Sequence, residues 1–105
     1  MTFIKITVVR VYLMETDVAI KKIVAHLKDV AKVKGVSLFR AVSGFGDSGG
    51  ETTFWGSLSL SLPITIEFFD HPETIGPILE YLSEFVKPEH IVFWDANTNA
   101  LPAQN

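Results

Sequence analysis

The sequence predicts an α+β fold with the element order β-α-β-β-α-β. Three observations predict it: two segments with helical apolar periodicity, apolar strand-like segments before, between and after them, and a glycine-rich stretch, "GFGDSGG", near the middle. The chain has 105 residues, of which 48% are hydrophobic and 20% charged. This length and composition are typical of one globular domain with a single core, so we expect residues 1–105 to form one domain.

The first two elements are a strand over residues 3–14 and a helix over residues 17–34. The strand is rich in Ile, Val and Tyr and is largely apolar on both faces, which favours burial on both sides. The helix repeats apolar residues at i, i+3, i+4 and i+7, the spacing of one buried stripe. Thr16 or Asp17 can cap its start, and Gly35 suits the left-handed position after its end.

The second half of the chain supplies three further strands and a helix. Pro63 cannot donate a hydrogen bond to a sheet, so we expect it to divide the third strand region into two pieces. Pro72 suits the first position of the second helix, and Gly76-Pro77 predicts a kink or a weakened first turn within it. The predicted ranges are 36–45, 54–59 with 63–69, 71–86 for the helix and 90–94, followed by a flexible tail over 97–105.

This order corresponds to a ferredoxin-like sandwich, in which an antiparallel sheet carries two helices on one face. Right-handed crossovers place both helices on that face, so nothing in a chain of this length covers the other. An exposed apolar sheet face marks an association site, and we expect another copy of the chain to cover it. The alternative is a loosely covered monomer.

Composition also argues against several classes of function. The chain has no Cys, which excludes disulfides, thiolate catalysis and Cys-type zinc sites. A formal charge of -3 argues against a nucleic-acid-binding surface. His26, His71 and His90 share no metal-ligand spacing, no catalytic motif is present, and no apolar segment is long enough to span a membrane. We therefore predict a cytoplasmic protein that is neither an enzyme nor metal-dependent.

The glycine-rich stretch has two interpretations. Its backbone N–H groups could converge on an anion, but no Lys follows and no helix is predicted after it, so the phosphate-loop signal is weak. The favoured interpretation is a mobile loop over residues 46–53 that docks a protein partner. The candidate docking residues are Asp47, Ser48, Gly49, Gly50 and Glu51.

Three motifs, "RVYL", "FRAVSGFG" and "LPITIEFFD", resemble in order and spacing those of the family called domain of unknown function 190. The resemblance covers about residues 10–94, although Ala41 stands where the family usually has Gly. It implies a PII-like fold, a homotrimer with inward-facing sheets, and a regulatory function. The copper-tolerance CutA proteins share this build, so a CutA-like metal protein is a further, less favoured alternative.

PII proteins hold nucleotide phosphates with a glycine-rich loop before the last strand. This chain has "VKPEHIVFW" there, which contains no glycine and only one Lys, so it departs from the PII pattern of nucleotide binding. The first strand also leads directly through Met14-Glu15-Thr16 into the helix, a shorter connection than in the family, which predicts a narrower cleft.

The favoured function is a trimeric regulator that binds a small effector, with a nucleotide as a possible ligand, in clefts between subunits. It would act on a protein partner, and by analogy with the superfamily that partner is a membrane transporter. The alternative is a ligand-free structural or interaction trimer. Arg40 can either clamp a carboxylate or phosphate or pair with Glu67 or Asp70 across the sheet. The candidate ligand-binding residues are Arg40, Gly44, Phe45, Gly46 and Glu67.

Overall fold

The computed structural model describes residues 2–45, 51–52 and 61–99. Its strands are β1 (Ile4–Met14), β2 (Val36–Arg40), β3 (Gly44–Phe45), β4 (Glu51–Thr52), β5 (Pro63–Asp70) and β6 (Ile91–Thr98). Its helices are α1 (Ala19–Asp29) and α2 (Pro72–Ser83), with a short 3-10 turn at Pro88–His90.

The main sheet has the strand order β2-β5-β1-β6 with every neighbouring pair antiparallel. Together with the chain order of strands and helices, this is the predicted ferredoxin-like α+β arrangement. The short strands β3 and β4 pair separately, with Gly44 opposite Thr52 and Phe45 opposite Glu51. The predicted second strand is therefore interrupted after Arg40, and Glu51–Thr52, predicted to be loop, lie in a strand.

The core lies between the sheet and the two helices. Alternate residues of β1 and β5 face the helices, and Val9, Val11 and Ile66 have no exposed surface. The buried stripe of α1 is shorter than the apolar pattern predicted, because Val30 is 68% exposed. The core residues are Val9, Val11, Ile23, Leu27, Ile64, Ile66, Phe68, Ile75, Ile78, Leu82 and Val86.

Both helices are shorter than predicted. The α1 helix ends at Asp29, and Lys32, with a φ of 56°, takes the left-handed conformation that the sequence predicts for Gly35. The Asp17 carboxylate accepts a hydrogen bond of 2.8 Å from the Ala19 backbone N–H, so Asp17 satisfies a donor at the helix start as expected. Pro72 is at the start of α2, and the helix is continuous through Pro77.

The opposite face of the sheet, here called the second face, carries side chains that point away from the helices. The strand register places Thr65 between Tyr12 and Phe39, and Val8 between Phe69 and Trp94. The aromatic members are between 39% and 53% exposed in the single chain. The second face consists of Val8, Arg10, Tyr12, Ser37, Phe39, Thr65, Glu67, Phe69, Val92 and Trp94.

An ion pair lies in the middle of the second face. Arg10 Nε donates a hydrogen bond of 2.6 Å to Glu67 Oε1, and the Arg10 guanidinium lies 5.6 Å from the Trp94 ring centroid. This pair raises the pKa of Arg10 through the hydrogen bond and the charge of Glu67. The second face is thus mostly apolar with one paired charge at its centre.

The last strand is longer than predicted. The β6 strand runs to Thr98, which pairs with Ile4, and Asn97 pairs with Lys5. The first two residues of the tail predicted to be flexible therefore belong to the sheet. The predicted loop residues 46–50 and 53, the predicted strand piece 54–59 and the tail beyond 99 lie outside the described residues.

Candidate functional site

A cleft of about 360 Å³ lies at the end of the sheet where β1 ends and β5 begins. Its walls come from the last residues of β1, the turn before α1, strand β3 and the segment between α2 and β6. Its lining residues are Tyr12, Leu13, Met14, Asp17, Phe45, Pro63, Phe85, Val86, Lys87 and His90.

The cleft has the mixed chemistry of a small-molecule site. Most of its lining is aromatic or aliphatic, while Lys87, His90 and Asp17 supply polar groups at defined points. Lys87 precedes the 3-10 turn and His90 is its last residue. Pro88, between them, restricts the backbone φ angle of the turn. A volume of about 360 Å³ is within the range of cavities that hold small ligands.

One wall of the cleft is fixed by a row of aromatic contacts between the two helices. Phe85 meets Tyr81 edge to face at 5.0 Å, and Tyr81 stacks on His26 at 3.6 Å between ring centroids. Lys22 Nζ lies 5.0 Å from the Phe85 ring centroid. His26 is half-buried and helps position this wall.

Tyr12 connects the cleft to the second face, because it lines the cleft and also lies beside Thr65 on that face. Tyr12 is 40% exposed. A molecule that covered the second face would therefore also reach the edge of the cleft.

Arg40 pairs with Glu15, not with Glu67 or Asp70 as the sequence suggested. Its Nε bonds Glu15 Oε2, and its Nη2 lies 3.3 Å from Glu15 Oε1. The hydrogen bond from Arg40 holds the pKa of Glu15 below its ordinary value, and the same bond raises the pKa of Arg40. This alternative for Arg40 was wrong because Arg40 lies opposite Ile64 on the helix-covered side, whereas Glu67 is on the second face and Asp70 is at the other end of β5.

Two of the predicted ligand residues are at the cleft. Phe45 lines it, and Gly44 abuts Pro63, since a Cβ on Gly44 would lie 3.4 Å from Pro63 Cγ. The Gly44 φ of 150° is also one that favours glycine. Arg40 does not line the cleft, but its partner Glu15 is in the segment between the lining residues Met14 and Asp17, whereas Glu67 is paired with Arg10 on the second face.

Most of the other predicted site residues are not described by the structure. Gly46 and the docking candidates Asp47, Ser48, Gly49 and Gly50 lie outside the described residues. The backbone of Glu51, the remaining docking candidate, is in β4.

Sequence reasoning missed the polar residues of the cleft. Lys87 and His90 belong to the segment "VKPEH", which stands out in the sequence only for its lack of glycine. Its position before the last strand was the signal that could have indicated a binding residue there. No sequence pattern indicated the ion pair between Arg40 and Glu15, because 25 residues separate them.

Over residues 2–45, 51–52 and 61–99, no three His, Asp or Glu side chains come together as a metal-binding group. In this same part of the chain, no helix combines the length and apolar character needed to cross a membrane.

Comparison with known proteins adds a family and a fold. Residues 3–98 match the family DUF190, described as Uncharacterized ACR, COG1993. Comparison of the sequence with curated proteins finds no match.

Among solved structures, the chain is similar to CPII of Thiomonas intermedia K12 bound to ADP and bicarbonate. The identity is 24%, the TM-score 0.69, and the alignment covers 94% of this chain and 93% of that one. A CPII structure with ADP, AMP and bicarbonate gives 22% identity and a TM-score of 0.65, with coverage of 93% and 99%. A PII-like signaling protein of Thermus thermophilus gives 21% identity and a TM-score of 0.62, covering 93% and 91%. These similarities show that the fold is PII-like.

Proposed function

The chain belongs to the DUF190 family, and we propose that it is a PII-like regulatory protein that binds a small anionic ligand in a cleft between subunits. The observation that carries this proposal is the continuity between the cleft and the second face through Tyr12. Ligand binding at the edge of an association surface can change the contacts between subunits, because the same side chains would contact both the ligand and the neighbouring subunit.

The assembly that we propose is a homotrimer in which the second faces meet. A largely apolar face with aromatic residues is typical of a buried interface, and Arg10 is already paired with Glu67 within the chain. An ion pair satisfied in this way can be covered by another subunit without leaving an unpaired charge. We propose three subunits by analogy with PII proteins, and a measurement of the molecular mass of the assembly tests this number.

The ligand that we propose is a nucleotide with a phosphate group. The cleft offers the Phe85 and Phe45 rings for a flat apolar group and Lys87 for an anion. The CPII structures with this fold contain ADP, AMP and bicarbonate. We further propose that the protein acts in the cytoplasm by docking on a partner protein, with a membrane transporter as the candidate, and that it is not an enzyme.

Two measurements test the proposal. Light scattering coupled to size exclusion should give three times the 11.7 kDa mass of the chain. Thermal unfolding should be followed with ATP, ADP, AMP, cyclic AMP and bicarbonate, since a ligand that binds only the folded state stabilises it by about 2.7 kcal/mol at 100 times its Kd. We expect ADP or AMP to raise the melting temperature by several degrees.

Lys87→Ala should remove most of this rise, whereas Lys28→Ala, an exposed lysine on α1 outside the cleft lining, should retain it. A monomer at micromolar concentration would contradict the proposed assembly. A trimer whose melting temperature responds to none of the ligands would support the alternative function, an interaction trimer without a ligand.

A further inference from the structure

The Glu15 carboxylate binds Arg40 in the way that an anionic ligand would. Two guanidinium nitrogens, Nε and Nη2, face the two carboxylate oxygens of Glu15. This side-on geometry is the one in which arginine binds both carboxylates and phosphates, because the two N–H groups match two oxygens of one anionic group. Glu15 therefore occupies the donors that an anionic ligand would use.

The pair belongs to chain segments that border the cleft, here called its rim, although neither Arg40 nor Glu15 lines it. Glu15 follows Met14, which lines the cleft, and Asp17 two residues later also lines it. On the other side, the residue after Arg40, Ala41, donates its backbone N–H to the carbonyl of Pro63, a further lining residue, over 2.9 Å. The side chains of Arg40 and Glu15 are 59% and 32% exposed, so a ligand in the cleft can approach both from solvent.

The turn that carries Glu15 is held in place independently of the ion pair. The Glu15 backbone N–H donates to the Leu62 carbonyl over 2.8 Å, and the Thr16 and Ser61 hydroxyls lie 3.1 Å apart. Because these contacts do not involve the Glu15 carboxylate, the side chain can leave Arg40 without unfolding the turn. Exchange of one anion for another on Arg40 is therefore a side-chain rearrangement.

We propose that Glu15 is an internal competitor for Arg40, whose carboxylate occupies Arg40 in the ligand-free protein and is displaced by a phosphate group of the ligand. The inference rests on the proposed ligand-binding function and adds a residue that lowers the affinity of that site. A terminal phosphate carries more than one negative charge at neutral pH and competes well against one carboxylate. A ligand without an anionic group does not displace Glu15, so Glu15 lowers the affinity for phosphate-bearing ligands and leaves the affinity for other ligands unchanged.

Calorimetric titration of ADP into the wild type, Glu15→Gln, Arg40→Ala and the double variant tests this inference, with adenosine as a ligand that lacks phosphate. Because exposed ion pairs are weak, Glu15→Gln should bind ADP about two- to five-fold more tightly. Arg40→Ala should bind ADP on the order of tenfold more weakly, since a charge-assisted hydrogen bond is lost. In the Arg40→Ala background, Glu15→Gln should give no gain, and adenosine affinity should be the same for all four proteins.

Asp29→Asn is the matched control, because it removes one negative charge at an exposed position on α1 outside the cleft lining. Its ADP affinity should equal that of the wild type, and circular dichroism should show that every variant is folded. If the wild type binds ADP and Glu15→Gln binds it no more tightly, the inference is wrong and the proposed function stands. If the wild type binds no ADP, the failure lies in the proposed nucleotide function, and the inference falls with it.

Discussion

The two faces of the sheet are built from similar residues but differ in what covers them. On the helix-covered face, Phe68 is 1% exposed and Val9 has no exposed surface. On the second face, the adjacent Phe69 is 39% exposed and Trp94 is 41% exposed. Both faces present aromatic and aliphatic side chains, so hydrophobicity alone does not say which face the chain itself buries. The crossover connections decide this, because they place both helices on one side.

The difference separates folding from assembly. Burial of the first face accompanies the folding of one chain, whereas the proposed assembly would bury the second face. Substitutions on the first face should therefore act on the stability of the chain at any protein concentration. Substitutions on the second face should act on association, and their effect should depend on concentration.

The largest expected effect comes from two neighbouring phenylalanines of β5 that point to opposite faces. Phe68→Ala should lower the free energy of unfolding by about 3–5 kcal/mol, because it leaves a cavity in the core. Phe69→Ala should act mainly through the assembly, so its denaturation midpoint should shift with protein concentration. Urea denaturation at several protein concentrations measures both. Equal, concentration-independent losses for the two variants would contradict the distinction between the faces.

The second effect concerns association alone and uses two adjacent aromatics of β6. Trp94→Lys places a charge on the second face beside Arg10, whereas Phe93→Lys places the same charge on the helix-covered side at the sheet edge, where Phe93 is 55% exposed. Trp94→Lys should reduce the mass in light scattering to that of one chain while circular dichroism remains that of the folded protein. Phe93→Lys should keep the mass of the wild type. An unchanged mass for Trp94→Lys would show that the second face is not the association surface.

The sequence predicted the fold well because the fold depends on periodic features. The Ile- and Val-rich composition of β1 and the helical spacing in α1 and α2 establish the element order, and the order with right-handed crossovers establishes which face the helices cover. Boundaries were less predictable. The apolar Val30 continued the helical pattern although it is exposed, and the polar residues Asn97 and Thr98 gave no strand signal although they pair with β1.

The site was less predictable because it is formed by residues that are distant in sequence. Phe45 and Gly44 were found from their motif, but Lys87 and His90 reach the cleft only through the turn at Pro88–His90. The choice of Glu15 over Glu67 as the partner of Arg40 depends on which side of the sheet each residue faces. Strand register determines that choice, and the sequence contains no local signal for it.

The smallest expected effect compares the two ion pairs of the sheet, Arg10 with Glu67 on the second face and Arg40 with Glu15 at the rim of the cleft. If the second face is covered in the assembly, Glu67→Gln leaves Arg10 buried with a weaker partner and should weaken association. Glu15→Gln acts on a solvent-exposed pair and should lower the melting temperature by only about one to a few degrees at pH 7.

The effect of Glu15→Gln should also depend on pH in a defined direction. The pKa of Glu15 in the folded protein is lowered by the hydrogen bond from Arg40, so the ionised carboxylate stabilises the folded state at pH values above its unfolded pKa. This contribution is lost as the pH falls through the lowered pKa of the folded state, because the carboxylate is then protonated in both states. Melting temperatures of the wild type and Glu15→Gln should therefore converge as the pH is lowered from about 7 to about 3. A difference that widens towards acidic pH would show that the Glu15 carboxylate does not stabilise the rim as an ionised partner of Arg40.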